Sequence, residues 1–138
     1  MTTEAGSSKP LPAMRGLAAQ FYESCRRHEL RFQRCRDCAA WRHVPREMCP
    51  VCGSWDWHWA PSSGKGRLFS WTVVARPLHP AFAAAAPYAP AVIEMEEGVR
   101  LLSRVVDTPP DELTIGMPLT VDFEDLTLDI SLPVFRRA

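Results

Sequence analysis

At 138 residues the chain is long enough for one compact core or two small units, and its 46% hydrophobic content is ordinary for a globular protein. No apolar run approaches the ~20 residues of a membrane-spanning helix, and residues 1–10 lack the apolar stretch of a secretory signal, so a cytoplasmic protein is expected. The formal net charge is zero but unevenly spread: residues 1–67 hold 11 Lys and Arg against 6 Asp and Glu, and residues 68–138 hold 5 against 10. A basic front half on an acidic second half is either ordinary solvated charge or a surface for a phosphate-bearing ligand or an acidic partner.

Residues 1–12 are small, polar and proline-bearing, and read as a disordered leader or a linker remnant. Met14, Leu17, Ala18, Phe21, Tyr22 and Cys25 recur at helical spacing. They predict an amphipathic helix over about 13–28, within an N-terminal unit of 13–29, with Arg26, Arg27 and His28 at its C-terminal end, where cations are favoured. The apolar stripe packs on its own domain or on a partner protein. Cys25 lies on it and reads as a buried thiol.

Residues 30–60 form the second unit. Leu30–Arg34 alternates as a strand leading to Cys35-Arg-Asp-Cys38, and Cys49-Pro-Val-Cys52-Gly53 follows ten residues later. Each Cys-x-x-Cys turn aims two thiolates at one point, and two such turns supply the four soft ligands of tetrahedral zinc. Gly53 follows the second pair, where a tight knuckle favours a residue without Cβ. Disulfides or redox dithiols are the competing reading, but no secretory signal supports an oxidising compartment. Iron in the same cage stays open. With cysteine at Cys35, Cys38, Cys49 and Cys52, no position is left for water or substrate, so the metal is expected to be structural, one Zn2+ per chain. Trp41–Val44 reads as a short strand ended by Pro45, with His43 in a surface or stacking role. Trp55, Trp57 and Trp59 alternate on one strand face, as a seam to the next unit or as an aromatic platform.

Pro61–Gly66 reads as punctuation, and the third unit, 64–138, as all β. Strands are predicted at Leu68–Ala75, Ala91–Glu96, Arg100–Val106, Leu119–Glu124 and about Ser131–Arg136. A hairpin signal lies at Glu97-Gly98, and a helical turn is expected at Asp111–Leu113. Five strands with a connection after the third fit an OB-fold barrel. The whole is mainly β: an N-terminal helix, a rubredoxin-like zinc ribbon, then the barrel. The alanine- and proline-rich loop 78–90 is long enough to be functional.

Chemistry-bearing patterns are few. There is no Gly-x-Ser-x-Gly elbow, phosphate loop or dinucleotide fingerprint. Glu94 and Glu96 alternate with Ile93 and Met95 as a solvated strand face does. His79, in the loop, is the histidine best placed for a catalytic test.

The order Gln33-Arg34-Cys35, Cys38, Pro45-Arg46, Cys49-Pro50-x-Cys52-Gly53-Ser54, Gly64-x-Gly66, Trp71–Val74, Pro87-Tyr88, Gly98, Ile115-Gly116-Met117 and Leu132-Pro133-x-Phe135 resembles the zinc-ribbon/OB-fold proteins catalogued as domain of unknown function thirty-five. The match runs from about residue 14 to the C-terminus. It departs at Ala39, where many members have Gly, and at His43-Val44-Pro45, where aromatic-Pro-Pro is common. The resemblance implies a partner rather than a reaction. Members accompany thiolase-superfamily enzymes acting on acyl-CoA substrates. Some form the C-terminal part of a MaoC-like enoyl-CoA hydratase subunit in steroid side-chain degradation, where the domain binds a thiolase-like aldolase of the lipid-transfer-protein type. The chain would then be no enzyme by itself but an accessory module, two copies flanking an aldolase homodimer in a heterotetramer, with acyl-CoA at the interface. The surface offered to that partner comprises Leu17, Phe21 and Tyr22 of the helix, Trp55 and Trp57, and His79, Phe82 and Tyr88 of the loop. Arg26, Arg27, Arg31, Arg34 and Arg42 would rim it or meet CoA phosphates. A nucleic-acid-binding ribbon and barrel is the alternative. Against it stand the acidic barrel half and the lack of interleaved basic and aromatic residues on its strands, so neither nucleic acid nor membrane is expected as a partner.

Overall fold

The computed structural model describes residues 9–138. Helix α1 spans Gly16–Arg26, shorter at both ends than the apolar spacing suggests. Met14 lies before it and is exposed. Arg15 is extended and makes no side-chain cap. At the other end the N–H groups of Arg27 and Glu29 donate to the Ser24 carbonyl and that of His28 to Cys25, with His28 in the left-handed region at φ 59°. That geometry satisfies the last carbonyls and stops the helix.

The ribbon sheet is β1 (Arg31–Cys35) between β2 (Trp41–Arg42) and β3 (Trp57–Pro61), both antiparallel to it. β2 is only two residues long. Trp55 precedes β3 and stands out in solvent, so the expected row of three tryptophans is a pair: Trp57 and Trp59 meet edge to face at 5.3 Å. Trp59 Nε1 donates to Gln20 Oε1 at 2.7 Å and so ties the ribbon to α1.

The second sheet has five strands in the order β6-β5-β4-β7-β8: β4 (Lys65–Trp71), β5 (Ala91–Met95), β6 (Arg100–Ser103), β7 (Pro118–Asp125) and β8 (Ser131–Arg137), all antiparallel neighbours. It curls until Val105, just past β6, bridges Phe135 in parallel; the Phe135 N–H donates to the Arg104 carbonyl and that of Val106 to the Phe135 carbonyl. This closure makes the OB-fold barrel. A 3-10 helix, Pro80–Ala85, occupies the alanine-rich loop, and another, Pro110–Glu112, falls in the connection before β7.

β4 departs from its expected bounds in an instructive way. It starts at Lys65, inside the stretch read as punctuation, and ends at Trp71 after an irregularity between Leu68 and Ser70. Gly66 is therefore a strand residue. A Cβ there would lie 2.8 Å from the Glu94 carbonyl and 3.0 Å from Ile93 Cγ2, so β4 and β5 approach closely only because the side chain is missing. Gly66→Ala is expected to push β5 away and to cost about 2 kcal/mol, in the range of overpacking changes. A lowered melting temperature checks this; an unchanged one would contradict the close approach.

One apolar core runs through both parts. Phe21 and Cys25 of α1, Leu30, and Phe32 of β1 are buried in the same cluster as Leu68, Ile93, Leu119 and Phe135 of the barrel. α1 packs against both β1 and β8. Among the described residues, no helix is long and apolar enough to cross a membrane.

Candidate metal centre and an apolar groove

The two cysteine turns are built alike. At the first, Cys35 N–H donates to the Ala40 carbonyl and Ala39 N–H to Cys35; at the second, Cys49 N–H donates to Ser54 and Gly53 N–H to Cys49. The residue closing each turn is left-handed, Gly53 at φ 79° and Ala39 at φ 66°. Alanine in that region carries a local strain of ~1 kcal/mol that glycine avoids.

These turns gather the sulfurs of Cys35, Cys38, Cys49 and Cys52 within 4.8 Å of one another. Cys35 and Cys52 stand 3.6 Å apart, as do Cys38 and Cys49. A disulfide needs about 2.05 Å, whereas the edge of a tetrahedron with metal–sulfur bonds of about 2.3 Å is about 3.8 Å. The donor set and its spacing fit a tetrahedral thiolate metal. The turns favour thiolate at one sulfur of each pair. The Cys38 N–H, then that of Asp37, lowers the Cys35 thiol, and those of Cys52 and Val51 bring Cys49 down to about 6. Cys38 and Cys52 go the other way: the Ala40 and Ser54 N–H groups lower them, but desolvation and the neighbouring thiols outweigh this and leave Cys38 raised and Cys52 at about 12. Cys25 stands apart: burial pushes it up to about 12, and it is not among the four clustered sulfurs.

A polar knot braces the cage. Gln33, fully buried on β1, accepts from Arg46 N–H at 2.7 Å and from Arg42 Nε at 3.0 Å, and its amide donates to the Arg46 carbonyl at 2.9 Å. Arg42 Nη2 donates to the same carbonyl at 2.8 Å. Gln33 lies two residues before Cys35 and Arg46 three before Cys49, so the knot joins the approaches to both turns. Sequence reading missed it. Alternation on β1 made Gln33 one of its polar positions without indicating its burial, and Arg42 was placed on the rim, whereas it is only 6% exposed.

Four of the eight candidate contact residues line one apolar groove of about 780 Å3: Phe21, Tyr22, Phe82 and Tyr88. The ribbon adds His43, Val44 and Pro45, and the barrel adds Leu102, Leu132 and Pro133. Phe82 and Tyr88 stand 5.7 Å apart, so the alanine-rich loop supplies one wall. Leu17, Trp55, Trp57 and His79 lie outside the groove. The His79 Nδ1 accepts from Ala81 N–H at 3.0 Å and caps the loop's 3-10 helix. His43 lies tilted against Phe21 at 5.0 Å and edge-on to Phe32 at 5.3 Å; its Nδ1 is buried without a partner, and burial lowers its pKa to about 4. The remaining arginines of the expected rim are already engaged: Arg26 and Arg27 with Glu23, Arg31 with Glu29, and Arg34 over Trp41.

Comparison with known proteins gives a consistent family. Residues 23–58 match the model of the ChsH2 rubredoxin-like zinc ribbon domain, and residues 59–124 that of the ChsH2 C-terminal OB-fold domain. A Thermomonospora curvata protein named "Probable enoyl-CoA hydratase alpha subunit" is 39% identical over 94% of this chain and 40% of its own. A Methanocaldococcus jannaschii protein named as a DUF35 domain-containing scaffold protein is 35% identical over 70% of this chain and 68% of its own. The chain thus spans less than half of the hydratase subunit but two-thirds of the scaffold protein. Among solved structures, a chain of the Ltp2-ChsH2(DUF35) aldolase superposes with a TM-score of 0.79 at 39% identity, covering 86% of this chain and 92% of that one. A DUF35-family protein of Sulfolobus solfataricus shares the fold, with a TM-score of 0.57 at 13% identity, covering 87% of this chain and 84% of that one.

Proposed function

As the chain belongs to the DUF35 family of zinc-ribbon and OB-fold proteins, we propose that it is a non-catalytic scaffold subunit of a thiolase-superfamily acyl-CoA enzyme. The enzyme is a retro-aldolase that cleaves the side chain of a steroid CoA thioester, and the scaffold is needed for its activity. Two copies flank an aldolase homodimer. The observation that carries this reading is the likeness to the chain of the Ltp2-ChsH2(DUF35) aldolase over nearly the whole of that chain.

The geometry supplies a rationale. Cys35, Cys38, Cys49 and Cys52 would hold one Zn2+, whose contribution is structural: it lends the small ribbon folding free energy. Four thiolates fill a tetrahedral site, so no position is left for substrate. The ribbon so held forms one wall of the groove, beside α1, and the barrel and the alanine-rich loop form the rest. The groove offers aromatic anchors to a partner protein. Leu102 is 72% exposed on its wall. Leu102→Glu is expected to weaken binding to the aldolase about tenfold or more, because a carboxylate would be desolvated at the contact. Its melting temperature should stay near wild type, since most of the side chain is already in solvent. Titration calorimetry against the purified aldolase checks this; wild-type affinity would remove the groove from the interface.

The nucleic-acid alternative draws less support. Arg100 pairs with Glu94, Arg104 with Glu124, Arg136 with Asp107 and Asp122, and Arg137 with Glu112. These are four of the five arginines after residue 67, and their charge is already answered before any phosphate arrives.

A further inference from the structure

Arg42 is the one charged side chain that is buried among the described residues, and none of their ion pairs includes it. Its acceptors are neutral: the Gln33 amide oxygen at 3.0 Å and the Arg46 carbonyl at 3.1 and 2.8 Å. The Trp57 ring lies 5.7 Å from the guanidinium carbon. Nη1 is buried with no partner at all. A guanidinium removed from water needs an opposite charge, and neutral acceptors do not provide one. The cysteine cage adjoins it: Trp57, whose ring faces the guanidinium, pairs across the sheet with Cys35. Gln33 shares its β1 face with Cys35 two residues on, and Arg46 leads into Cys49. A divalent cation bound by four thiolates leaves the cage with a net negative charge.

We propose that Arg42 is the counter-charge of the cysteine cage. The buried guanidinium offsets the excess negative charge of the metal–thiolate group. Through Gln33 and the Arg46 carbonyl it also holds the two turns at the spacing the metal requires. It is a positioning residue and no ligand. The inference rests on the metal reading of Cys35, Cys38, Cys49 and Cys52.

The test is zinc release from the full chain to a chromogenic chelator at constant pH, for wild type, Arg42→Gln and Arg42→Lys. Arg42→Gln is expected to release zinc about 10-fold faster or more, the effect typical of losing an outer partner of a metal ligand. Arg42→Lys keeps the charge but loses the planar fork that reaches Gln33 and the Arg46 carbonyl together. If the charge serves the cage, its release stays much nearer wild type than that of Arg42→Gln. If the arginine only braced the fold, the lost fork makes Arg42→Lys release zinc as fast as Arg42→Gln, and that result overturns the proposal. Should Arg42→Gln fail to fold, Arg42→Lys decides alone: release about 10-fold faster than wild type overturns the proposal, and release near wild type supports it. A wild-type chain without stoichiometric zinc overturns it together with the metal reading, whereas zinc-loaded wild type with unaffected variants overturns this inference only.

Discussion

Replacing Cys49 with serine is expected to release the metal, unfold the ribbon and remove the groove with it. Structural zinc contributes on the order of 10 kcal/mol or more of apparent folding free energy in small domains, comparable with the whole stability of a typical domain at ~5–15 kcal/mol. A ribbon whose sheet contains a two-residue strand has little else to hold it. The damage does not stop there. Phe21, Leu30 and Phe32 belong to the same core cluster as Leu68, Ile93 and Phe135, so an unfolded ribbon uncovers one side of the barrel. The barrel keeps its own strand ladder and should persist with a lower melting temperature. Limited proteolysis should cut within 30–60 first, and metal analysis should find no stoichiometric zinc. Cys25→Ser is the matched control: its sulfur lies outside the cage, so one zinc should remain. A Cys49→Ser chain that keeps both its metal and its protected ribbon would contradict the ligand set.

The second large effect is acid destabilisation through His43. Burial lowers its folded-state pKa from 6.5 to about 4. Because the folded value is the lower one, the unfolded chain binds the extra proton first as pH falls. Stability is therefore unaffected above pH ~6.5 and declines through the window down to pH ~4. The full span is on the order of 3 kcal/mol, of which roughly 2 kcal/mol is reached by pH 5. Acid also protonates the cysteines, so the measurement is a difference. Denaturant unfolding of wild type and His43→Leu, each at pH 7 and pH 5, should show the variant losing about 2 kcal/mol less. Parallel losses would mean that the ring is hydrated in the folded state.

What the sequence revealed follows from the range of the interactions involved. The cysteine spacing speaks through local turns, and its four sulfurs are found together. The barrel strands announce themselves by β-branched and aromatic runs, and five strands close as an OB-fold. Gly66 was misread because a glycine beside Gly64 and Lys65 looks like a turn; that it lets β5 approach depends on Glu94 and Ile93, far along the chain. Trp55 continued a two-residue rhythm that the backbone had not yet begun. Gln33 and Arg42 were hidden for a related reason. Their burial is set by Arg46 and Trp57 folding over them, and polar residues on a short strand otherwise read as surface. The groove is legible only in part: Phe82 and Tyr88 stand out in a loop, but their meeting with Phe21 and Tyr22 needs the tertiary fold.

The central claim is that this chain has no activity of its own and enables an acyl-CoA aldolase. It is tested most directly by assaying retro-aldol cleavage of a steroid side-chain acyl-CoA by a thiolase-like aldolase of the same source, alone and with the zinc-loaded chain, alongside sizing of the mixture at micromolar concentration. The account predicts co-elution of two chains with one aldolase dimer, and cleavage only when both proteins are present. Equal cleavage without this chain, or separate elution of the two proteins, would contradict it.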